Sequence, residues 1–390
     1  MKYLLCFVLL ICVIGLSNAQ NKQEIIKISP EDFTDQKVML SDIADDIQYI
    51  PLGRGELIAG IASVKINDKL IFIGGNRDSG VLEYNIDGSF NRKIGSIGNG
   101  PGQYRDGSYI TLDNKSQRIY ILDSEKVLVY NFKGTFIRKI GNSEFNNFSK
   151  IHFIDNKLYL FGVVHNSTIL SYPHYWMITD SLGKVQYTKM NTMKGFSASN
   201  MIAMYQSNKA YEYDNKLHYW NHYSDTIFEL KGTSYKAKYL IEKGRNRMTP
   251  ENSADPDKFN NSNFYIFKDI QESKHYLFIG YSQFGKSNMC VYDKNTKVYR
   301  KMTFERGEPI GFPNDLDAGL PFYISEITNY KNEEYLIGWR FPYELKAHVA
   351  SEAFKNSTPK YPEKKKALEK LANSLNENDN PVLMLVKLKE

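Results

Sequence analysis

Six apolar or aromatic tetrads, each preceded by a turn, recur along this chain of 390 residues and limit the folds open to it. They are Leu70-Ile-Phe-Ile73, Ile119-Tyr-Ile-Leu122, Leu158-Tyr-Leu-Phe161, Leu217-His-Tyr-Trp220, Tyr276-Leu-Phe-Ile279 and Tyr335-Leu-Ile-Gly338. Their starts lie 49, 39, 59, 59 and 59 residues apart, a period that accommodates one four-stranded sheet per repeat. The turns before them are Asn67-Asp68, Asp113-Asn114, Asp155-Asn156, Asp214-Asn215, Gln271 to Lys274 and Tyr330 to Asn332. Asn and Asp tolerate left-handed backbone and bond their own main chain, so these pairs read as turn formers rather than metal ligands. Innermost strands are expected just ahead of them, as in Ser108-Tyr-Ile-Thr-Leu112 and Phe264-Tyr-Ile-Phe267.

The outer half of a repeat is clearest where Val81 to Gly95 matches Val127 to Gly141 at ten of fifteen positions. Each half reads strand, Asp-Gly or Lys-Gly turn, strand, because glycine supplies the positive φ of a tight hairpin. Four strands in each of six repeats predict an all-β fold, a six-bladed β-propeller of antiparallel blades. The 28 Tyr and 22 Phe fit that reading, since aromatic side chains pack well on pleated surfaces. A ring with open edges would invite aggregation, so it must be closed. Ile47-Gln-Tyr-Ile-Pro-Leu52 and Val382-Leu-Met-Leu-Val-Lys-Leu388 are strand-like and lie outside complete repeats. They are expected to pair in the sixth blade, the N-terminal strand outermost. The segment from about Tyr343 to Leu375 then becomes a helical insertion in that blade, Pro362 to Leu375 having apolar residues at helical spacing. The propeller spans residues 37–390, after an extension over 20–36.

Residues 1–19 read as a secretory signal peptide: Lys2, an apolar run from Leu4 to Leu16, and Ser17-Asn18-Ala19 as the cleavage site. Cys12 follows Ile11, which does not suit a lipoprotein signal. The apolar run is shorter than the ~20 residues that span a bilayer, and no later segment could span. Export to the periplasm, the outer membrane surface or the medium is therefore expected. Cleavage would leave Cys290 as the one remaining cysteine, excluding an intrachain disulfide, and its strand setting suggests a buried, inert thiol. The formal net charge of +6 is spread along the chain, apart from a lysine cluster on the C-terminal helix, so nucleic acid is not an expected partner.

From Gly98-Asn-Gly-Pro-Gly-Gln-Tyr104 into Ile119-Tyr-Ile-Leu-Asp123 the chain resembles NHL-like and TolB-like six-bladed propellers, where a Gly-Pro-Gly loop leads into each blade. Over nearly its whole length it is similar to a narrower family, the secreted six-bladed β-propeller proteins of Bacteroidetes. That similarity rests on Leu40-Ser-Asp-Ile43 with Tyr49-Ile-Pro-Leu52, Ser224-Asp-Thr-Ile-Phe228, Asn314-Asp-Leu-Asp-Ala-Gly-Leu-Pro321 and Glu377-Asn-Asp-Asn-Pro-Val382. The resemblance implies a fold and an export route, and no reaction.

In a propeller the loops entering the innermost strands converge on one mouth of the central channel, the default ligand site. Here they carry Arg54, Glu56, Tyr104, Arg105, Asp106, Ser199-Asn200, Asn260-Asn-Ser-Asn263, Asp315 and Asp317, with His152 expected near the start of an innermost strand. Such a rim suits a polar small molecule, a glycan or a peptide, as well as an envelope protein. Asp106, Asn263, Asp315 and Asp317 have the oxygen chemistry that Ca²⁺ prefers, although nothing in the sequence brings them together. No Gly-x-Ser-x-Gly elbow, HExxH motif or phosphate-cradling loop occurs. The leading expectation is an exported, non-catalytic and monomeric binding module without a cofactor. The alternative is a Ca²⁺-dependent propeller hydrolase or lyase of the lactonase kind, and a third reading is a purely structural scaffold.

Overall fold

The computed structural model describes residues 25–75, 79–123, 125–141, 145, 148–162, 173–192, 208–253, 255, 257 and 263–390. Six sheets form the blades, and in each the strands are hydrogen-bonded in antiparallel order. Blade I comprises Ile61–Ile66, Leu70–Gly75, Val81–Asn85 and Phe90–Ile94, and blade II comprises Tyr109–Asp113, Arg118–Asp123, Lys126–Asn131 and Phe136–Ile140. Blade III comprises Phe148–Ile154, Lys157–Gly162, His174–Asp180 and Val185–Met190, and blade IV Asn208–Tyr213, Lys216–Asn221, Thr226–Lys231 and Ser234–Ile241. Blade V comprises Ile266–Glu272, Tyr276–Gln283, Lys286–Asp293 and Val298–Phe304. Blade VI is Glu326–Tyr330, Glu333–Arg340, Val382–Leu388 and, outermost, Ala44–Pro51.

Every tetrad falls in the second strand of its blade. A strand flanked by two others and covered on both faces by neighbouring blades buries successive side chains, which is why these segments are continuously apolar rather than alternating. Leu158, Leu160 and Phe161 have no exposed surface. Six apolar clusters, one per interface between blades, make up the core; Phe72, Val81, Ile110 and Ile121, for example, join blades I and II. The turns follow the expected chemistry. Asp155, Asn156, Asp214 and Asn215 take φ between 50° and 59°, and Asn67 Oδ1 accepts from the Lys69 and Leu70 amides. Two local expectations shift. The innermost strand of blade V runs Ile266–Glu272, placing Gln271 and Glu272 in the strand and leaving the turn to Ser273, whose Oγ accepts from the Tyr276 amide at 3.1 Å. His152 is the fifth residue of its strand and lies nearer its end than its start.

The ring closes as the two terminal segments suggested, Val382 pairing with Pro51 and Val386 with Ile47. The helical insertion contains Pro342–Ala350, Glu352–Lys355 and Pro362–Ser374, packed together through Leu345, Val349, Phe354, Leu368 and Ala372. Ahead of blade VI the chain makes contacts too short to leave a sequence pattern. Ile26–Ile28 adds a parallel fifth strand to blade IV and Thr34–Asp35 one to blade V. The N-terminal segment thus straps blades IV, V and VI along their outer edges. Among the described residues no helix is long and apolar enough to cross a membrane.

Candidate functional site

The central channel holds a cavity of about 1260 Å³ lined by all six innermost strands and reaching the turns that leave them. Its polar side chains come from all six blades. Lys65 of blade I pairs with Glu326 of blade VI. Burial alone would lower the Lys65 ammonium, but Glu326, with Glu212 further off, outweighs it and raises its pKa. His152 Nδ1 of blade III lies 2.7 Å from Glu212 Oε1 of blade IV. Burial holds the His152 ring below the ordinary histidine range despite that carboxylate, so at neutral pH a neutral ring donates from Nδ1 to ionised Glu212. Lys150 is brought down to about 8 by burial and then by its neighbour Lys209, an effect that Asp269 and Glu326 only partly offset.

Of the residues expected to form the site, His152 alone among those described lines this cavity. The cavity extends toward the turns leaving the innermost strands, whereas the expected residues sit mainly in loops entering them. Arg54 is bound to Asp379, its Nε 2.7 Å from Oδ1, and Glu56 lies 3.5 Å from Lys93. Tyr104 is fully buried and donates to Ile94 O at 2.7 Å. Arg105 approaches Asp123 at 3.9 Å, and Asp106 accepts from the Ser108 amide within its own loop. Asn263 donates to Asn246 Oδ1 at 2.6 Å. Asn200, like Ser199 and Asn260 to Ser262, lies outside the described residues. The four candidate Ca²⁺ ligands are engaged separately, and among the described residues no three His, Cys, Asp or Glu side chains are grouped to hold a metal ion.

Asp315 and Asp317 instead join the ring. Asp315 accepts from Ser41 through the amide at 2.9 Å and through Oγ at 2.5 Å, fixing the short helix Leu40–Ile43 against the loop between blades V and VI. Asp317 is buried beside Tyr49 and accepts from the Gly319 amide at 2.9 Å; burial raises its carboxyl above the usual range. A Cβ on Gly319 would lie 2.5 Å from Tyr49 Oη. Asn380 accepts from the Ile58 amide and donates to the Gly53 and Glu56 carbonyls. Three of the motifs shared with secreted propellers therefore meet at the closing seam rather than at a ligand.

A second cavity, of about 450 Å³, lies between blades III and IV, walled by Tyr175, Trp176 and Tyr235. Its cations are already partnered: Lys189 donates to Tyr235 Oη at 2.7 Å, and Arg247 donates to Tyr223 O and lies 3.3 Å from Asp225. In the channel, by contrast, Lys150 and Lys209 have no such partner among the described residues.

The charged lining of the channel is not legible in the sequence because Lys65, Lys150, Lys209, Glu212, Asp269 and Glu326 are scattered over five repeats, with no motif linking one repeat to the next. The available signal was a charge recurring in the strand just ahead of each tetrad. Two further histidines give the ring an acid sensitivity. Burial, with Lys238 adding to it, brings His218 down to about 4, and burial with Lys243 brings His222 down to about 3. Unfolding returns both to about 6.5, so the unfolded chain binds more protons in between. Their contribution is fully present above pH 6.5 and declines as the pH falls from there toward 3–4. The melting temperature is expected to drop between pH 7.5 and 5, and a flat profile would contradict this.

No curated protein matches the chain. Among solved structures it is similar to a Bacteroides fragilis protein described as a candidate for export, at 19% identity and TM-score 0.69, over 94% of this chain and 100% of that one. It also matches the extracellular domain of a candidate one-component system from B. thetaiotaomicron, at 11% identity and TM-score 0.40, over 75% of this chain and 39% of that one. The family model described as a domain of unknown function, DUF4934, matches residues 23–387, and the chain therefore belongs to that family.

Proposed function

We propose that this protein is an exported, non-catalytic binding module that holds a polar ligand, a glycan or a peptide, in its central channel. The observation that carries the reading is the channel itself: about 1260 Å³, with charged, amide and hydroxyl side chains converging from separate blades. A channel filled by apolar side chains would have served a scaffold equally well. Tyr109 adds an aromatic side chain to the hydrogen-bonding groups, a combination suited to hydroxylated or amide ligands. The signal-like residues 1–19 and the candidate export of the B. fragilis relative support export.

The test is a thermal-shift panel of neutral and acidic oligosaccharides, short peptides and divalent ions on the protein without its signal, followed by calorimetry of any hit. A ligand that binds only the folded state raises the melting temperature, by a few degrees near 100-fold its Kd. Ala62→Trp, which places a bulky ring in the lumen, is expected to abolish that rise while preserving the far-ultraviolet spectrum. A hit unaffected by Ala62→Trp would place binding elsewhere. Turnover that depends on a divalent ion retained through dialysis would replace this reading with the hydrolase or lyase.

A further inference from the structure

Within the channel the charges are not evenly matched. Lys65 has Glu326, and Glu212 has His152. Lys150 of blade III and Lys209 of blade IV face the same lumen, and among the described residues neither ammonium has a hydrogen-bond or ion-pair partner. On their strands they are the lining residues farthest from the turns that the cavity reaches. Asp269 and Glu326 act on Lys150 only through space, and Asp269 is already held by Gln271 at 3.2 Å. Two half-buried ammonium groups set against each other form a costly arrangement that an anion between them relieves.

We propose that Lys150 and Lys209 form a carboxylate-binding end to the channel, so that the ligand is a small acidic molecule inserted carboxylate first. This rests on the channel being the ligand site. A carboxylate accepts from both ammonium groups at once, in charge-assisted hydrogen bonds. Toward the open turns, Asn114, Ser116, Asn156 and Asn215 leave amide and hydroxyl groups for the rest of the ligand. The lowered Lys150 pKa agrees with an ammonium awaiting a counter-charge.

Two ligand sources share this chemistry, a uronic-acid oligosaccharide and a short peptide with a free C-terminus. Calorimetry would compare galacturonate oligomers with their methyl esters, and tripeptides with their C-terminal amides. The proposal expects one acid to bind about 10-fold or more tighter than its blocked partner. Lys150→Gln and Lys209→Gln should each remove that preference while leaving binding of the blocked form unchanged. Because the substitutions delete charge from a crowded site, the variants should melt no lower than the parent, which separates lost recognition from lost folding. In protein carrying ¹³C-labelled lysine, the Lys150 signal should titrate at higher pH when the acid is bound. Preference for the uronate or for the peptide acid supports the carboxylate end and identifies the source. Equal binding of acid and blocked forms overturns it while leaving the channel reading intact, and failure of every ligand to bind overturns both.

Discussion

A chain ending at Pro381 is expected not to fold. It lacks Val382–Leu388, the strand between Glu333–Arg340 and Ala44–Pro51 in blade VI, and with it the hydrogen-bonded ladder that joins the two ends of the ring. Val382, Leu383, Met384, Leu385 and Val386 are each at most 1% exposed; the last four enter the apolar clusters on both sides of the blade, and Val382 packs with the helical insertion. Their loss removes the pairing partner of two strands and opens the interfaces with blades V and I together, leaving backbone donors and acceptors bare on the sheet. Circular dichroism should show no cooperative melting, and gel filtration should show aggregation. A graded version keeps the strand: Leu385→Ala should cost about 2–5 kcal/mol, and Leu385→Asp more, since it buries an unpaired charge. A truncated chain that melts sharply at the parent temperature would refute this account of closure.

Removing one carboxylate should do nearly as much. Glu272, 2% exposed at the end of the innermost strand of blade V, accepts from Lys294 at 2.6 Å, Tyr239 at 2.7 Å, Tyr211 at 3.0 Å and Lys238 at 3.0 Å. Three of those donors belong to blade IV, so this group fastens the two blades at the polar end of their interface. Lys294 and Lys238 also lie 4.1 and 4.7 Å from the Tyr213 ring centre. Burial alone would raise the Glu272 carboxyl, but Lys294, Lys238 and His218 outweigh it and hold its pKa below the ordinary value. A folded-state pKa depressed in this way gives stability that is present above about pH 4.3 and is lost as the pH falls through the folded value.

Glu272→Ala strands two lysines in a shared, largely dry site and should cost about 3–5 kcal/mol in denaturant titrations. Pairing Glu272→Met with Lys294→Met should recover part of the loss, because replacing both partners removes the uncompensated charge. A cost below about 1 kcal/mol for Glu272→Ala would mean that the network is solvated in practice.

The architecture could be read from the residues because the physics of the second strand is local: a strand covered on both faces must be apolar throughout, and its turn must tolerate left-handed backbone. Leu158-Tyr-Leu-Phe161 after Asp155-Asn156 carries both signals. The closing pair was legible for the same reason, Val382 to Leu388 being too apolar for a surface strand. Ile26–Ile28 and Thr34–Asp35 were not legible, since a strand of two or three residues has no period and takes its conformation from the edge it docks on. The channel was harder still. Lys150 and Lys209 resemble solvated lysines in any sequence window, and only curvature of the ring brings them together. The motifs most visible as motifs, such as Asn314 to Pro321, turned out to secure the seam, which needs several specific bonds from one short segment.

The position of Ala44–Pro51 also sets a schedule. During synthesis this strand leaves the ribosome before any complete blade, yet its partner Val382–Leu388 follows only after five blades have been made. Until then its hydrogen-bonding edge and the apolar side chain of Ile47, which packs between blades V and VI, have nowhere to dock, and the strap over blades IV and V waits for those blades as well. Assembly of the ring is thus governed by contacts between residues far apart in the chain, the class of contact that slows folding most.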